Sequence, residues 1–194
     1  MKKIAIFLLS LLMCFSLSAC SSKPDSTITN FCNAMKNYDF DTMGEYLSDK
    51  IKETLENPYV DTEGTTEEMV NILKECASKM TYVVESSEVD GDTANVVVNF
   101  NYANLSPVMS DTLTEYMKQA FSLVLNDVTE EEMDALFNNI FNETYKSSEI
   151  QMIDSTLEFK CKKTDNGWKI TELPNDFYDV LSANIVSMFD DITN

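Results

Sequence analysis

Cys20 is the residue whose setting most narrowly defines a chemistry. It follows Leu17, Ser18 and Ala19 at the far border of an apolar run, Ile4 to Leu17, that is broken only by Ser10 and Ser16 and preceded by Lys2 and Lys3. A positive start, a short apolar stretch and small residues before a cut are the zones of a secretory signal, and the stretch is too short for a stable membrane span. Cleavage before Cys20 would make its thiol the first side chain of the processed chain. The other thiols are sparser in meaning. Cys14 leaves with the signal, while Cys32, Cys76 and Cys161 lie far apart and are odd in number, which excludes a full disulfide framework. Each sits in an apolar pattern and reads as a small buried hydrophobe. A single Cys32–Cys76 bridge is the alternative in an oxidising compartment.

Other chemistries find few residues to use. The chain has no histidine, which removes Ser-His-Asp and Cys-His triads and histidine-bearing zinc sites. Its glycines, Gly44, Gly64, Gly91 and Gly167, form no phosphate-binding loop, so no nucleotide or dinucleotide cofactor is expected. Carboxylates abound, and a glycosidase needs only two at a set separation in a cleft. Asp154 and Glu158, two steps apart on one strand face, are the pair to examine, against the simpler reading of a wet sheet face. Asp61-Thr62-Glu63-Gly64 and Glu88-Val89-Asp90-Gly91-Asp92 are acidic and turn-like, yet neither follows the twelve-residue calcium loop with its terminal glutamate. No catalytic residue, cofactor or metal ligand is therefore expected, and the chain reads as a non-enzyme.

The charge balance points the same way. The 14 basic residues, all lysine, face 33 acidic ones, for a net charge of −19. Such a chain has nothing with which to neutralise nucleic-acid phosphates. It would not adhere to an anionic membrane by charge alone.

The elements that must position these groups follow from periodicity. A first helix is expected near Ser26, with Ile28, Phe31, Cys32, Met35 and Tyr38 on one face. Asp39 or Asp41 would cap a second, lined by Phe40, Met43, Leu47, Ile51 and Leu55 and ended at Asn57-Pro58. Thr65 and Glu68 suggest a capping box before a helix bearing Met69, Ile72, Leu73, Cys76 and Met80. The period then falls to two. Strands over Thr81–Val89 and Thr93–Ala103 flank the Asp90-Gly91 turn, with Ala94, Val96, Val98, Phe100 and Tyr102 inward and Asn95, Val97, Asn99 and Asn101 outward.

A helical pair follows Pro107. Leu113, Tyr116, Met117, Ala120, Phe121, Val124 and Leu125 stripe the first helix. Thr129 and Glu132 box the start of the second, which carries Met133, Leu136, Phe137, Ile140, Phe141 and Tyr145. Their short connection predicts adjacent helices. A strand from Glu149 turns inward Ile153, Leu157, Phe159 and Cys161. Asp165-Asn166-Gly167 makes a hairpin turn, and Trp168 and Ile170 point inward before Pro174. Asn175 or Asp176 would cap a final helix carrying Phe177, Val180, Leu181, Ile185, Met188 and Ile192. The methionines Met35, Met69, Met117, Met133 and Met188 read as core, with a plastic apolar groove at the helical pair as the alternative. The class is α+β, an antiparallel sheet of about four strands packed against N-terminal helices, with an inserted helical hairpin near 110–146 and a C-terminal helix.

Two resemblances can be drawn. Leu17-Ser18-Ala19-Cys20 resembles the lipobox of bacterial lipoproteins. In that family the cysteine thiol carries a diacylglyceryl group and a dedicated peptidase cuts before it, which implies lipidation of Cys20 and an acyl-anchored protein (palmitate among its expected chains). The helix bearing Phe31, Ala34-Met35-Lys36 and Asp39, together with the hairpin Lys162-Lys163-Thr164-Asp165-Asn166-Gly167-Trp168-Lys169-Ile170, resembles the cystatin-like, nuclear-transport-factor-two-like (NTF2-like) cone fold. More narrowly, it is similar to the surface lipoproteins of Gram-positive bacteria that carry such domains and whose roles are not established.

These readings set the expected organisation: a signal peptide over 1–19, a lipidated cysteine and tether over 20–26, and one acidic domain over 27–194. The expected place is the extracytoplasmic face of the cell membrane. Membrane lipid is the expected partner through the diacylglyceryl cysteine, with a peptide, lipid or envelope protein as a further partner and nucleic acid excluded. The function expected is a non-enzymatic ligand- or partner-binding module. The alternatives are a carboxylate-dependent envelope hydrolase and an accessory subunit that docks a membrane complex through a helical face.

Overall fold

A computed structural model describes residues 23–53, 55, 66–123 and 128–188. The first helix, α1 (Pro24–Lys36), opens on proline, whose missing N–H would be unpaired at that position anyway. Ile28, Phe31, Cys32 and Met35 are fully buried along one face, as their spacing predicts. The helix ends in a tight reversal: Tyr38 has φ 55°, its N–H donates to the Met35 carbonyl at 3.0 Å, and the Asp39 N–H donates to the Ala34 carbonyl at 3.0 Å. This is a Schellman closure built on a tyrosine rather than glycine. Asp39 then caps α2 (Phe40–Tyr46), accepting from the Thr42 N–H at 3.0 Å.

The second helix does not continue to Leu55 as its apolar spacing suggests. It breaks at Leu47, which forms a parallel bridge with Ile170, while the Ser48 N–H donates to the Ile170 carbonyl at 2.8 Å. A short turn, α3 (Asp49–Lys52), resumes after it. A distant strand thus overrides the local pattern. Asn57-Pro58 lies outside the described residues. So does Thr65, and the cap of α4 (Glu67–Lys79) is Thr66, one residue later than expected, accepting from the Met69 N–H at 3.4 Å.

β1 (Thr81–Asp90), β2 (Thr93–Asn104), β3 (Gln151–Thr164) and β4 (Gly167–Glu172) form one antiparallel sheet in the order β1-β2-β3-β4. Gly91, at φ 59°, lets the two-residue turn Gly91-Asp92 close the first hairpin. The expected inward set of β2 is buried throughout, as are Leu157, Phe159, Cys161, Trp168 and Ile170. Between β2 and β3 run α5 (Ser106–Leu123) and α6 (Glu130–Ser147), the latter opened by the Thr129–Glu132 capping box. They pack on each other through Tyr116 and Phe137, ring centroids 5.5 Å apart.

The C-terminal helix is shorter than expected. α7 (Phe177–Leu181) stops where Ala183 and Asn184 take φ 52° and 66°, and helical backbone resumes over 185–188. The cause is again non-local. The Leu105 N–H donates to the Ala183 carbonyl at 2.8 Å, and Asn184 Nδ2 donates to Asn104 Oδ1 and Ser106 Oγ at 3.0 Å each. Ile192 lies outside the described residues. The α+β class with a four-stranded antiparallel sheet is present as read from the sequence.

Candidate functional site

The apolar face of the sheet is the natural place to look for a ligand cavity, and it is occupied by side chains. Phe31 of α1 sits 5.8 Å from Phe159 of β3 and 5.8 Å from Phe177 of α7, centroid to centroid, and Phe159 stacks edge-on with Phe100 at 6.4 Å. All four rings are fully buried. Tyr82 ties α1 to the sheet: its hydroxyl donates to Asn33 Oδ1 at 2.9 Å and is within 3.1 Å of the Thr29 carbonyl. Two described depressions lie outside this core, one at Glu88, Asp90 and Thr93 by the first hairpin, the other at Phe40, Glu45 and Lys52 beside α2.

Cys32, Cys76 and Cys161 are buried and unbridged, so the Cys32–Cys76 disulfide does not form. Burial pushes all three thiols away from ionisation; that of Cys161 rises to about 12. They are packing groups, not nucleophiles. Cys76 lies against Tyr145, whose own hydroxyl is held protonated by burial and by the neighbouring Cys76 and Glu75. Burial, then the carboxylates of Asp179 and Asp176, push Tyr102 up to about 12.

Asp154 and Glu158 stand on the exposed outer face of β3. Asp154 accepts from Asn101 Nδ2 at 3.0 Å, beside an Asn99–Thr156 contact of 3.1 Å. That is a cross-strand polar ladder on an open sheet face. Asp61 to Gly64 falls outside the described residues, and Glu88 to Asp92 is spent on the hairpin. Among the described residues no three histidine, cysteine or carboxylate side chains gather as a metal site. Cys20 and its lipobox also lie outside the described residues.

One group of side chains departs from its expected role. Met117 and Phe121, read as core, are 68% and 84% exposed on the outer side of α5. The inner side is held by Leu113, Tyr116 and Ala120, and Val124 and Leu125 are outside the described residues. A clue existed in the stripe itself. Laid on a helical wheel, the five apolar residues from Leu113 to Phe121 span roughly 140°, more than the ~100° that one packed face consumes. Met117 and Phe121 form its outer margin, one turn apart, and Thr114 lies beside them.

No helix among the described residues is long and apolar enough to cross a membrane. No protein-family model and no curated protein matches the sequence. Among solved structures the chain is similar to an NTF2-like protein of unknown function from Shewanella oneidensis, with 10% identity, 75% of this chain and 88% of that chain covered, and a TM-score of 0.37. It is similar to a candidate lipoprotein, YcdA, of Bacillus subtilis, with 18% identity, a TM-score of 0.41 and 86% of this chain covered; the chain spans about half, 47%, of that protein's chain. A third is a candidate dehydratase of the NTF2-like family from Streptomyces avermitilis, with 14% identity, 76% and 93% covered, and a TM-score of 0.32.

Proposed function

We propose that the chain is a lipid-anchored, non-enzymatic envelope module that binds a protein partner through the outer side of α5. The observation that carries this reading is the exposure of Met117 and Phe121 one helical turn apart, while the apolar face of the sheet is filled by its own side chains. Two large apolar side chains on one exposed turn gain most by covering each other's flanks with a partner. The filled core moves the reading away from a small-molecule pocket and toward an outer surface. The anchor rests on Leu17-Ser18-Ala19-Cys20 and on two acyl chains holding far more stably than one, at about 0.8 kcal/mol per buried CH₂.

Two experiments separate the halves of this reading. Cys20→Ala should abolish incorporation of an alkynyl fatty acid and release the protein from the membrane fraction; unchanged labelling would end the anchor. A photo-crosslinking residue at position 117 or 121 should then give a discrete protein adduct in intact envelopes, and the same residue at position 99, on the outer sheet face, should not. Adducts with lipid alone, or equal adducts at position 99, would overturn the docking face. Phe121→Ser should remove the adduct formed from position 117 without altering the folded state, since the side chain is exposed.

A further inference from the structure

The two edges of the sheet are finished differently. At β4 the chain at Leu47 and Ser48 bridges to Ile170 and covers part of the outer side. At the other edge β1 has β2 as its one strand neighbour, and among the described residues no backbone hydrogen bond leaves its outer side. The first hairpin closes on Asp90 and Thr93, and the alternation of an antiparallel ladder from that pair sends the N–H and C=O of Val89 and Ser87 outward. The helical layer does not cover this end. Val89 stands opposite the buried Ala94, on the core face of the sheet, yet it is 56% exposed.

The charge on this edge has one sign. β1 carries Glu85, Glu88 and Asp90 and no lysine, Asp92 sits in the turn, and β2 carries no charged residue. All four carboxylates are exposed, and among the described residues none is ion-paired. Lys160 and Lys162 stand on β3, a full strand further in, and Lys160 is held by Glu172 at 2.9 Å. A depression of about 290 Å³ opens at the end of the hairpin, lined by Glu88, Val89, Asp90, Thr93, Ala94 and Asn95.

Carboxylates and a bulge, here at Glu85, are also devices by which an open edge avoids joining another edge. They discriminate by sign. A second copy would set Glu85, Glu88 and Asp90 against their own kind, and like charges directly opposite one another destabilise a ladder. A strand bearing lysine or arginine meets opposite charges instead, while its main chain pairs with the open N–H and C=O groups.

We propose that the outer edge of β1, from Ser86 to Asp90, takes an extended, lysine- or arginine-bearing segment of a partner protein as a fifth strand, with one basic side chain in the depression at Glu88 and Asp90. The segment alternates: basic residues lie beside Glu88 and Asp90 on one face, apolar residues beside Val89 on the other. This site is separate from the outer side of α5 and does not depend on the lipid anchor.

The probe is a dye-labelled peptide of alternating lysine and valine, titrated onto the full-length protein in a neutral detergent and read by fluorescence anisotropy. The same peptide with its backbone amides N-methylated keeps the charge and loses the ladder, so it should bind about tenfold more weakly. Glu88→Lys with Asp90→Lys should weaken the unmethylated peptide by about tenfold, whereas Glu130→Lys with Glu131→Lys, an equal charge change at the start of α6, should stay within about twofold. Hydrogen exchange at the Ser87 and Val89 amides should slow when the peptide is bound. No binding, equal binding of the methylated peptide, or equal losses in the two double variants would overturn the site. Protection of Ser87 and Val89 that grows with protein concentration in the absence of peptide would put a second copy on the edge and overturn it too.

Discussion

At the scale of single residues, the buried thiols carry the most definite chemistry in the described fold, and it is a chemistry of silence. Cys32, Cys76 and Cys161 are held protonated by burial, with Cys161 at about 12 against an ordinary value of 9.0. A group whose folded pKa is raised stabilises the fold fully below its unfolded pKa and loses that contribution as pH climbs toward the folded value. Here the unfolded chain releases thiol protons from about pH 9 upward while the folded chain keeps them, at about 1.4 kcal/mol per pH unit for each group. Tyr102 and Tyr145 act in the same sense at higher pH. Urea unfolding should therefore show a stability that is flat near neutrality and falls steeply between about pH 9 and pH 11. A thiol reagent at neutral pH should find Cys20 in unlipidated protein and reach the other three only in denaturant. Rapid native labelling of Cys32 or Cys161, or a stability unchanged at high pH, would contradict their assignment as core.

At the scale of elements, what could be read in advance was what local spacing controls. The inward set from Ala94 to Tyr102, the glycine turns at Gly91 and Gly167, and the Thr129–Glu132 capping box all stand where their patterns place them, because a two-residue period, a positive φ and a cap are settled within a few residues. The failures share one cause. Leu47 leaves its helix for a bridge to Ile170, and α7 stops short because Ala183 and Asn184 bond to the β2–α5 corner. Neither partner is visible from the segment itself. Met117 and Phe121 show the same limit at the candidate site: periodicity says which residues share a face, not what that face meets. The Cys20 motif is contiguous, so its reading draws on no distant partner, and it lies outside the described residues.

The C-terminal corner gives an element-scale test. Asn184 sits at φ 66°, donates to Asn104 and Ser106, and accepts from Ser187 Oγ at 2.8 Å. Asn184→Ala removes these bonds and places a Cβ-bearing residue without asparagine's tolerance in the left-handed region, a loss of about 2–3 kcal/mol by denaturant unfolding. Asn184→Gly keeps the backbone freedom and loses only the bonds, so it should fall nearer 1 kcal/mol. Equal costs for the two variants would mean the backbone conformation contributes nothing.

At the scale of the whole molecule, charge sets the balance. A net −19 is spread over a surface whose described ion pairs are three and all exposed: Glu75 with Lys79, Glu115 with Lys118, and Lys160 with Glu172. Exposed pairs of this kind contribute about 0–1 kcal/mol at best. Repulsion among the remaining carboxylates is not offset by them, and a compact chain feels it more than an unfolded one. Salt shortens the reach of that repulsion from about 10 Å at 0.1 M to about 3 Å at 1 M. Added sodium chloride should thus raise the melting temperature steadily, the reverse of what a fold held by ion pairs would do. The gain should shrink as the pH approaches the isoelectric point near 4.1, where the charges that salt screens are being lost. Acidification carries its own cost. Asp39, Glu75, Glu115 and Glu132 have carboxyls held below their ordinary values by hydrogen bonds to Thr42, Lys79, Gln119 and Thr129 respectively, so the stability they lend is present above those ordinary values and lost as pH falls through the lowered ones. Melting curves at low and high salt, repeated at neutral pH and near the isoelectric point, separate the two effects. A melting temperature that falls with salt at neutral pH would show that the three lysine pairs, not the excess of carboxylates, govern the molecule.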